Sequence, residues 1–353
     1  MKQNKQYSLF FWIASFLAMT LCTMVSCTKE IDFNGEQVDP KLVINSLNEP
    51  GQPVKAYISK SVFFLDTESN TQAPDDLVAT LYVNGNRIGE MTHGFDTIWE
   101  EWFDYDDDGN PIQYYHLTAA YHSTYIPVEG DVVKITASAN GFDDVDGTTS
   151  PLPKFVDCQM ETEITSWESY YFYPYFTEPG VYEEDSLLMI TGSLILTFDI
   201  KDPNPGVLDY FRLRSDTWNY DGENRYFISY AYDDPVFGAS LENDYIDASD
   251  LDTRPEGVFT DALFDGKSYQ LKLNVYFEMN VDEVFDPAFF CVPFKLEHLS
   301  KEYYNYLCTC NQDDGIMQFF AEPVQTYTNV NGGYGIVGGC AVDSLKLELP
   351  LEE

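Results

Sequence analysis

Short runs of alternating apolar and polar residues, separated by turn-forming residues, are the feature that most restricts the fold of this chain. Successive side chains of a strand point to opposite faces, so a period of two indicates a half-buried strand. Two of the runs flank Asn84-Gly85, a pair that favours a tight hairpin. In the first half we predict strands over Leu42–Ser46, Val54–Ser59, Ala79–Val83, Arg87–Gly89, Gln113–Tyr121 and Val132–Ala139.

The second half continues the pattern with longer runs, and Pro151 and Pro153 interrupt the chain between the two halves. The high content of aromatic residues, which fit pleated and half-buried surfaces, favours strands here as well. We predict strands over Leu187–Ile200, Phe211–Trp218, Tyr226–Tyr232 and Tyr269–Met279. The expected fold is mainly β, with two β-sandwich (immunoglobulin-like) domains at residues 40–150 and 151–353.

One short helix near the C-terminus is the exception to this pattern. It is expected from about Ser300 to Cys310, because Ser300 is a suitable N-cap and the apolar residues that follow share one face. The remainder of the C-terminal segment contains Gly333-Tyr334-Gly335-Ile336-Val337-Gly338, which matches a dinucleotide-binding pattern in letters only. No helix is expected after it, so we assign these glycines to positive φ and close approach of strands.

The N-terminus has the organisation of an export signal. Lys2 and Lys5 precede an apolar run from Leu9 to Met19, which is shorter than the roughly 20 residues that span a bilayer. Met24-Val25-Ser26-Cys27 then resembles a bacterial lipobox. We expect a signal peptide over residues 1–26, lipidation at Cys27 and a polar tether over residues 27–39. The alternative is an uncleaved anchor with incidental cysteines.

The charge of the chain limits its partners. The formal net charge is −40, and such a surface repels the phosphates of nucleic acids. We therefore expect no nucleic-acid partner. Cationic ligands, divalent metals and a purely solubilising acidic surface remain compatible with this charge.

A local acidic segment is the candidate metal site. Asp104, Asp106 and Asp108, followed by Gly109, copy the first half of a calcium-binding loop, in which alternate acids direct oxygens at one hard ion. Tyr115 stands where that loop requires a bidentate Glu, so the EF-hand pattern is incomplete. Calcium is the candidate cofactor at this position, and an acidic hairpin tip is the alternative.

A cluster of aromatic residues is the candidate contact site. Rings that outnumber what one strand face can bury indicate a surface for a partner or a ligand, and a loop folded over the core is the alternative. The candidate residues are Trp167, Tyr170, Tyr171, Tyr173 and Tyr175.

Catalytic patterns are missing from the sequence. None of the four histidines lies in HExxH, and GxSxG does not occur. Apart from Cys22 and Cys27, the cysteines are Cys158, Cys291, Cys308, Cys310 and Cys340, an odd number without a CxxC pair. We expect that the protein is not an enzyme, and the disulfide pairing stays open.

Several segments together resemble the DUF4249 family of Bacteroidetes lipoproteins, and the resemblance covers nearly all of the mature chain. The segments are Pro40–Asn45 with Tyr57–Ser61, Phe259–Asp261 with Phe264–Tyr269, Leu299–Tyr304, and Glu322–Val324 with Asn329–Ile336. The resemblance implies an outer-membrane or surface lipoprotein, often associated with TonB-dependent transporters, and no established catalytic residues. Thr28-Lys29-Glu30 is also similar to the surface-export signal of such lipoproteins.

The expected function is ligand capture for, or an accessory role with, a TonB-dependent outer-membrane transporter. The expected location is the outer membrane, lipid-anchored and exposed at the cell surface, with a periplasm-facing location as the alternative. Two other functions stay open at this point: a surface adhesin or structural envelope protein without a small ligand, and a hydrolase hidden in a β scaffold.

Overall fold

The computed structural model describes residues 39–62, 71–105, 111–172, 187–215, 218–220, 225–239, 257–281, 291–310 and 326–348. Within these residues the chain is mainly β, with eighteen strands and two α-helices. The first nine strands are β1 (Leu42–Asn48), β2 (Lys55–Lys60), β3 (Val78–Val83), β4 (Asn86–Glu90), β5 (Thr92–Tyr105), β6 (Pro111–His122), β7 (Val133–Ser138), β8 (Val145–Thr148) and β9 (Cys158–Phe172). The other nine strands are β10 (Leu187–Lys201), β11 (Tyr210–Ser215), β12 (Trp218–Tyr220), β13 (Arg225–Ala231), β14 (Val258–Thr260), β15 (Ser268–Val281), β16 (Cys291–Leu299), β17 (Val330–Asn331) and β18 (Tyr334–Glu348). The helices are α1 (Pro235–Ala239) and α2 (Lys301–Cys310), and a 3-10 turn covers Asp261–Leu263.

The strands form three sheets, none of which closes on itself within the described ranges. The eight-stranded sheet has the order β14-β11-β16-β18-β1-β2-β6-β5, and it takes strands from both halves of the chain. The two five-stranded sheets have the orders β12-β13-β15-β10-β9 and β17-β8-β7-β3-β4. β1 and β18 pair in parallel, whereas their other neighbours in the sheet pair with them in antiparallel fashion.

The buried apolar residues divide into two main cores. The first core contains residues of β1, β2, β3, β7 and β8 together with Leu152 and Val337. The second core begins at Val156 and contains residues of β10, β11, β14, β15 and β16 together with Leu347. The eight-stranded sheet therefore contributes to both cores, while each five-stranded sheet contributes to one. The division into two domains near Pro151 stays a prediction.

The hairpin predicted around Asn84-Gly85 is confirmed. β3 and β4 pair in antiparallel fashion on either side of these two residues. Asn84 has a φ of 50° and Gly85 a φ of 79°. Positive φ at both central residues is the requirement of a type I′ turn, which matches the twist of the strands it joins.

The structural role assigned to the C-terminal glycines is also confirmed. Gly335 lies in β18 opposite Ile44 of β1 and has a φ of 105°. A side chain at Gly335 would collide with the carbonyl oxygen of Ile44, and one at Gly333 with that of Leu42. These glycines allow the parallel approach of β1 and β18 that joins the two ends of the chain.

The helix expected from about Ser300 is confirmed as α2. Its first turn is capped by Ser300, whose Oγ accepts a hydrogen bond from the Tyr303 amide at 3.3 Å. The sequence did not predict α1, in which Asp234 caps the Val236 amide at 3.0 Å and Pro235 occupies the first helical position. Neither helix among the described residues has the length and apolar character needed to cross a membrane.

Two long strands differ from the sequence-based expectation. β5 lies where no strand was predicted and extends through Asp104, the first residue of the candidate calcium loop, and β9 includes the first part of the aromatic cluster. Both form because a long neighbour supplies a strand to pair with: β5 pairs with β6 and β9 pairs with β10, each with one register shift along the pair. Because strand pairing depends on contacts between segments, the local sequence of β5 and β9 indicates a strand only weakly.

Candidate functional site

A cleft of about 620 Å³ lies beside the base of the β5–β6 hairpin. Its walls come from β1, β2, the hairpin and the segment 71–77. A volume of this size is typical of sites that hold a small molecule. The lining combines aromatic and aliphatic surface with hydroxyl, amide and carboxylate groups, among them Ser59, Gln72, Asp75, His93, Phe95 and Leu117.

The apolar wall of the cleft is one face of the hairpin. Cross-strand pairing sets His93 opposite Tyr121 and Phe95 opposite Ala119, so these side chains share a face with Leu117. Tyr121 belongs to the first core and is buried, but Phe95 is 64% exposed and Leu117 is 61% exposed. The hairpin is longer than the core it covers, and its apolar face continues into the cleft.

The opposite wall is the segment 71–77. Gln72 forms a bridge with Ser59, and the Lys60 amide donates to the Thr71 carbonyl at 3.0 Å. The Leu77 amide donates to the Pro74 carbonyl at 3.1 Å and so tightens the turn between them. These backbone bonds hold a polar wall against β2, facing the apolar wall of the hairpin.

A polar cluster on the reverse face secures the base of the hairpin. Asp96 of β5 accepts from Lys55 Nζ at 2.7 Å and from the Tyr57 hydroxyl at 2.8 Å, both on β2. His122 Nε2 lies 3.4 Å from the other carboxylate oxygen of Asp96. The hydrogen bond from Lys55 is the main cause that lowers the pKa of Asp96; burial opposes it, and Tyr57 and His122 add smaller lowering effects. The cluster joins β5 to β2, which are not neighbours in the sheet, and fixes the apolar wall in place.

Aromatic contacts organise the interior of the cleft. The His93 ring lies 5.3 Å from the Phe95 ring in an edge-to-face arrangement and 5.2 Å from the Tyr121 ring. Burial raises the pKa of the Tyr121 hydroxyl above its ordinary value. The arrangement suits a ligand with one apolar part against Phe95 and Leu117 and one polar part against the segment 71–77.

The aromatic cluster singled out in the sequence is divided by the structure. Trp167 lies opposite Gly192 in β10; its ring lies 5.5 Å from that of Phe277 in the second core, and the residue is 38% exposed. Tyr170 lies three residues further along β9, so it is on the other face of the sheet, and it is exposed. Tyr171 is in the same strand, and its side chain is outside the described part. Tyr173 and Tyr175 lie outside the described residues altogether.

The other candidate residues fall largely outside the described ranges. Asp104 lies in β5 opposite Ile112, and its side chain is not described. Asp106, Asp108 and Cys27 lie outside the described residues. The calcium and lipidation expectations therefore stay predictions.

Sequence reasoning missed the residues that line the cleft. The alternation from Thr92 to Ile98 was the available signal, but the exposure of Phe95 depends on where the first core ends. It also missed a group of acids at the edge of the second core, formed by Asp202, Asp261 and Asp265. Asp202 comes from one loop and the other two acids come from a second loop, so no local pattern reveals the group.

The fold and the cleft define a mainly β protein of open sheets with a ligand-sized depression. Comparison with known families is more specific: the family model described as a domain of unknown function, DUF4249, matches residues 28–346. The chain belongs to this family. No functionally curated protein matches the chain.

Proposed function

We propose that this protein is a lipid-anchored, exported binding protein that captures a ligand for, or acts as an accessory partner of, a TonB-dependent outer-membrane transporter. The cleft beside the β5–β6 hairpin is the single observation that carries the proposal. It offers a preformed volume of about 620 Å³ with an exposed apolar wall and an opposed polar wall. The role is binding and not catalysis.

The location is part of the same proposal. The basic residues, the short apolar run and Ser26-Cys27 support lipidation of Cys27, and the family match starts at the residue that follows it. The resemblance to Bacteroidetes lipoproteins supports an outer-membrane position at the cell surface. Two acyl chains or more would provide stable anchoring where a single chain gives marginal binding.

The detailed fold also belongs to the proposal. Two separate cores, each with residues from two sheets, support two sandwich domains of the immunoglobulin-like type: the first is built mainly before Pro151 and completed by Leu152, Val330 and Val337, and the second is built wholly after it. In this arrangement the first domain carries the cleft. The exposed aromatic residue Tyr170 on β9 would then provide a separate contact surface on the second domain.

Lipidation is tested on the N-terminal peptide of the native protein. Mass spectrometry is expected to show acyl mass on Cys27 and the loss of residues 1–26. The Cys27→Ser variant is the control and should lack the acyl mass. An intact segment from Met1 to Ser26 in the mature protein would contradict the anchor.

The role of the cleft is tested by affinity purification of the tagged full-length chain from detergent-solubilised native membranes. A TonB-dependent transporter is expected among the co-purified proteins. The double variant Phe95→Ser with Leu117→Ser, which removes the apolar wall, should reduce its recovery by about tenfold, the loss that about 1.4 kcal/mol of binding free energy produces.

The matched control is Val128→Ser with Val207→Ser. These side chains are 61% and 58% exposed, close to the values for Leu117 and Phe95, and they lie outside the cleft lining. Equal loss in both double variants would mean that exposed apolar surface in general, and not the cleft, retains the transporter. If the wild-type chain recovers no transporter, the proposed partner is wrong.

A further inference from the structure

Three carboxylates from two loops converge at the edge of the second core. Asp202 lies in the loop from β10 to β11, and Asp261 and Asp265 lie between β14 and β15. One carboxylate oxygen from each of the three lies within 4.8 Å of the others. Asp202 and Asp261 are buried, and Asp265 is exposed.

The two loops hold these acids through reciprocal backbone bonds. The Gly206 amide donates to Asp265 Oδ1 at 2.6 Å, and the Gly266 amide donates to Asp202. The Asp209 amide donates to Asp261 Oδ1 at 2.9 Å. Each loop thus fixes a carboxylate of the other loop. An ionised carboxylate has about four lone-pair positions, so these bonds leave acceptor capacity unused.

One buried oxygen of the group has no partner at all. Asp261 is fully buried, and its Oδ2 atom accepts no hydrogen bond. A buried polar atom without a partner costs roughly 1–3 kcal/mol, so such an atom in a folded protein requires an explanation. Among the described residues, no Lys or Arg forms an ion pair with Asp202, Asp261 or Asp265. A bound cation would supply both the missing partner and the missing positive charge.

The neighbouring acid Asp209 shows what a satisfied carboxylate looks like in the same place. His298 Nε2 lies 3.3 Å from Asp209 Oδ1, and Asn204 Nδ2 donates to both of its oxygens at 3.0 Å. The fold thus provides donors for both oxygens of Asp209, whereas Asp261 has a donor for one oxygen and none for the other.

We infer that Asp202, Asp261 and Asp265 form a calcium-binding site that ties the β10–β11 loop to the β14–β15 connection. Calcium binds oxygen ligands at about 2.3–2.6 Å, so two oxygens on one ion are at most about 5 Å apart, which the three acids satisfy. Calcium also accepts irregular coordination geometry with few water ligands, whereas magnesium requires near-octahedral geometry and keeps several of its water ligands. The exposed Asp265 leaves an entry path.

The electrostatics of the group favour a cation over an empty site. Burial raises the pKa of Asp261 to about 6; the Asp209 amide opposes this, and the charges of Asp209, Asp202 and Asp265 raise it further. The repulsion among these carboxylates is the same field that attracts a divalent ion.

The inference is independent of the proposed function, since the site lies in the second core and the cleft lies beside the first. It also differs in position from the candidate site at Asp104, Asp106 and Asp108. A site that joins two loops of a core binds the folded chain and not the unfolded chain. Calcium should therefore stabilise the fold by mass action.

The test uses the full-length chain in detergent, freed of metal by chelation, at pH 7.5. Addition of about 5 mM calcium chloride, above the dissociation constants of about 10⁻⁴–10⁻³ M typical of extracellular calcium sites, should raise the thermal midpoint. The expected rise is about 3 °C or more. Asp265→Asn should reduce this rise below about 1 °C, and Asp261→Asn should do the same if it folds. Isothermal titration calorimetry with calcium provides the second measurement.

Two controls locate the effect. Asp143→Asn removes an exposed acid elsewhere and should preserve the full calcium response, as should the triple variant Asp104→Asn, Asp106→Asn and Asp108→Asn. The inference is overturned if calcium leaves the wild-type midpoint unchanged, if magnesium gives an equal rise, or if Asp265→Asn responds as the wild type does. Loss of the response in the triple variant alone would place the site at the hairpin tip instead.

Discussion

The first core is built from aliphatic side chains, whereas the second core is built around phenylalanine rings. Among the described residues that are buried in the first core, Tyr121 is the one aromatic residue. The second core contains Phe198, Phe211, Phe237, Phe259, Phe264, Phe277 and Phe294. Among the described residues, buried phenylalanine rings are therefore concentrated in the second core, and the two cores should respond differently to the same kind of substitution.

The difference extends to the candidate sites. The first core ends before the β5–β6 hairpin does, which leaves Phe95 and Leu117 exposed along a cleft. Buried acids lie at the edge of the second core. One of them, Asp261, is fully buried, and its Oδ2 atom has no hydrogen-bond partner. The exposed apolar surface beside the first core suits contact with a ligand or a partner. The buried carboxylates at the edge of the second core suit a cation.

The largest expected effect compares the two cores directly. Phe211 is fully buried, and its ring stacks on Phe259 at 5.2 Å and on His298 at 5.0 Å. Phe211→Ala should lower the free energy of unfolding by about 4 kcal/mol, and Leu81→Ala in the first core by about 3 kcal/mol, because the cavity left by the ring is larger. Urea-induced unfolding measures both losses, and a greater loss for Leu81→Ala would contradict the expected difference between the two cores.

The second effect concerns β18, the strand that both cores share. Gly335→Ala should cost about 2 kcal/mol, since it forces a side chain into a positive-φ position against the carbonyl of Ile44. Hydrogen exchange should show faster opening in both cores. Gly89→Ala is the control, because nothing lies within 4 Å of an added Cβ there. Faster exchange confined to the first core would mean that the cores open independently.

The third effect concerns the two faces of β9 at the edge of the second core. Trp167→Ala should lower the thermal midpoint by about 2 °C, because the ring packs on Phe277 of that core although 38% of the residue is exposed. Tyr170→Ala should change it by less than about 1 °C, since Tyr170 is exposed on the other face. Differential scanning fluorimetry of the two variants separates a core role from a surface role. Equal shifts would contradict the division of the aromatic cluster between two faces.

The smallest effect lies at the edge of the first core and depends on pH. Asp96→Asn should lower the free energy of unfolding by about 1 kcal/mol at pH 7, after allowance for solvent screening of Lys55. The pKa of Asp96 is lower in the folded state, so its stabilisation is present above the ordinary Asp pKa and is lost as the pH falls through the folded value. The wild type and the variant should therefore converge in acid. A constant difference down to pH 2 would show that the ionised form of Asp96 does not carry the effect.

The sequence predicted the elements whose signals are local. The Asn84-Gly85 hairpin, the capped helix after Ser300 and the strand role of Gly333 and Gly335 follow from φ preferences and capping chemistry of the residues themselves. β5 and β9 were missed because each depends on a long partner strand, and α1 was missed because a single turn with one cap has little periodicity.

The candidate sites could not be predicted in the same way. Leu117 lay within a predicted strand and Phe95 within no predicted element, and the exposure of both follows from the length of the hairpin relative to the core beneath it. Asp202 and Asp261 lie in loops far apart in the sequence of an already acidic chain, so neither stands out from the other acids. Of the predicted contact residues, only the faces of Trp167 and Tyr170 are assigned by the structure.

By itself, the amino-acid sequence determined the mainly β character, the positions of tight turns, the start of α2 and the membership of the DUF4249 family. These depend on backbone preferences and side-chain periodicity, which act over a few residues. Only the tertiary structure decided that β1 pairs with β18, that one sheet serves two cores, and that three distant aspartates share one place. Such outcomes depend on contacts between segments that are far apart in the sequence, where burial and strand pairing outweigh local preference.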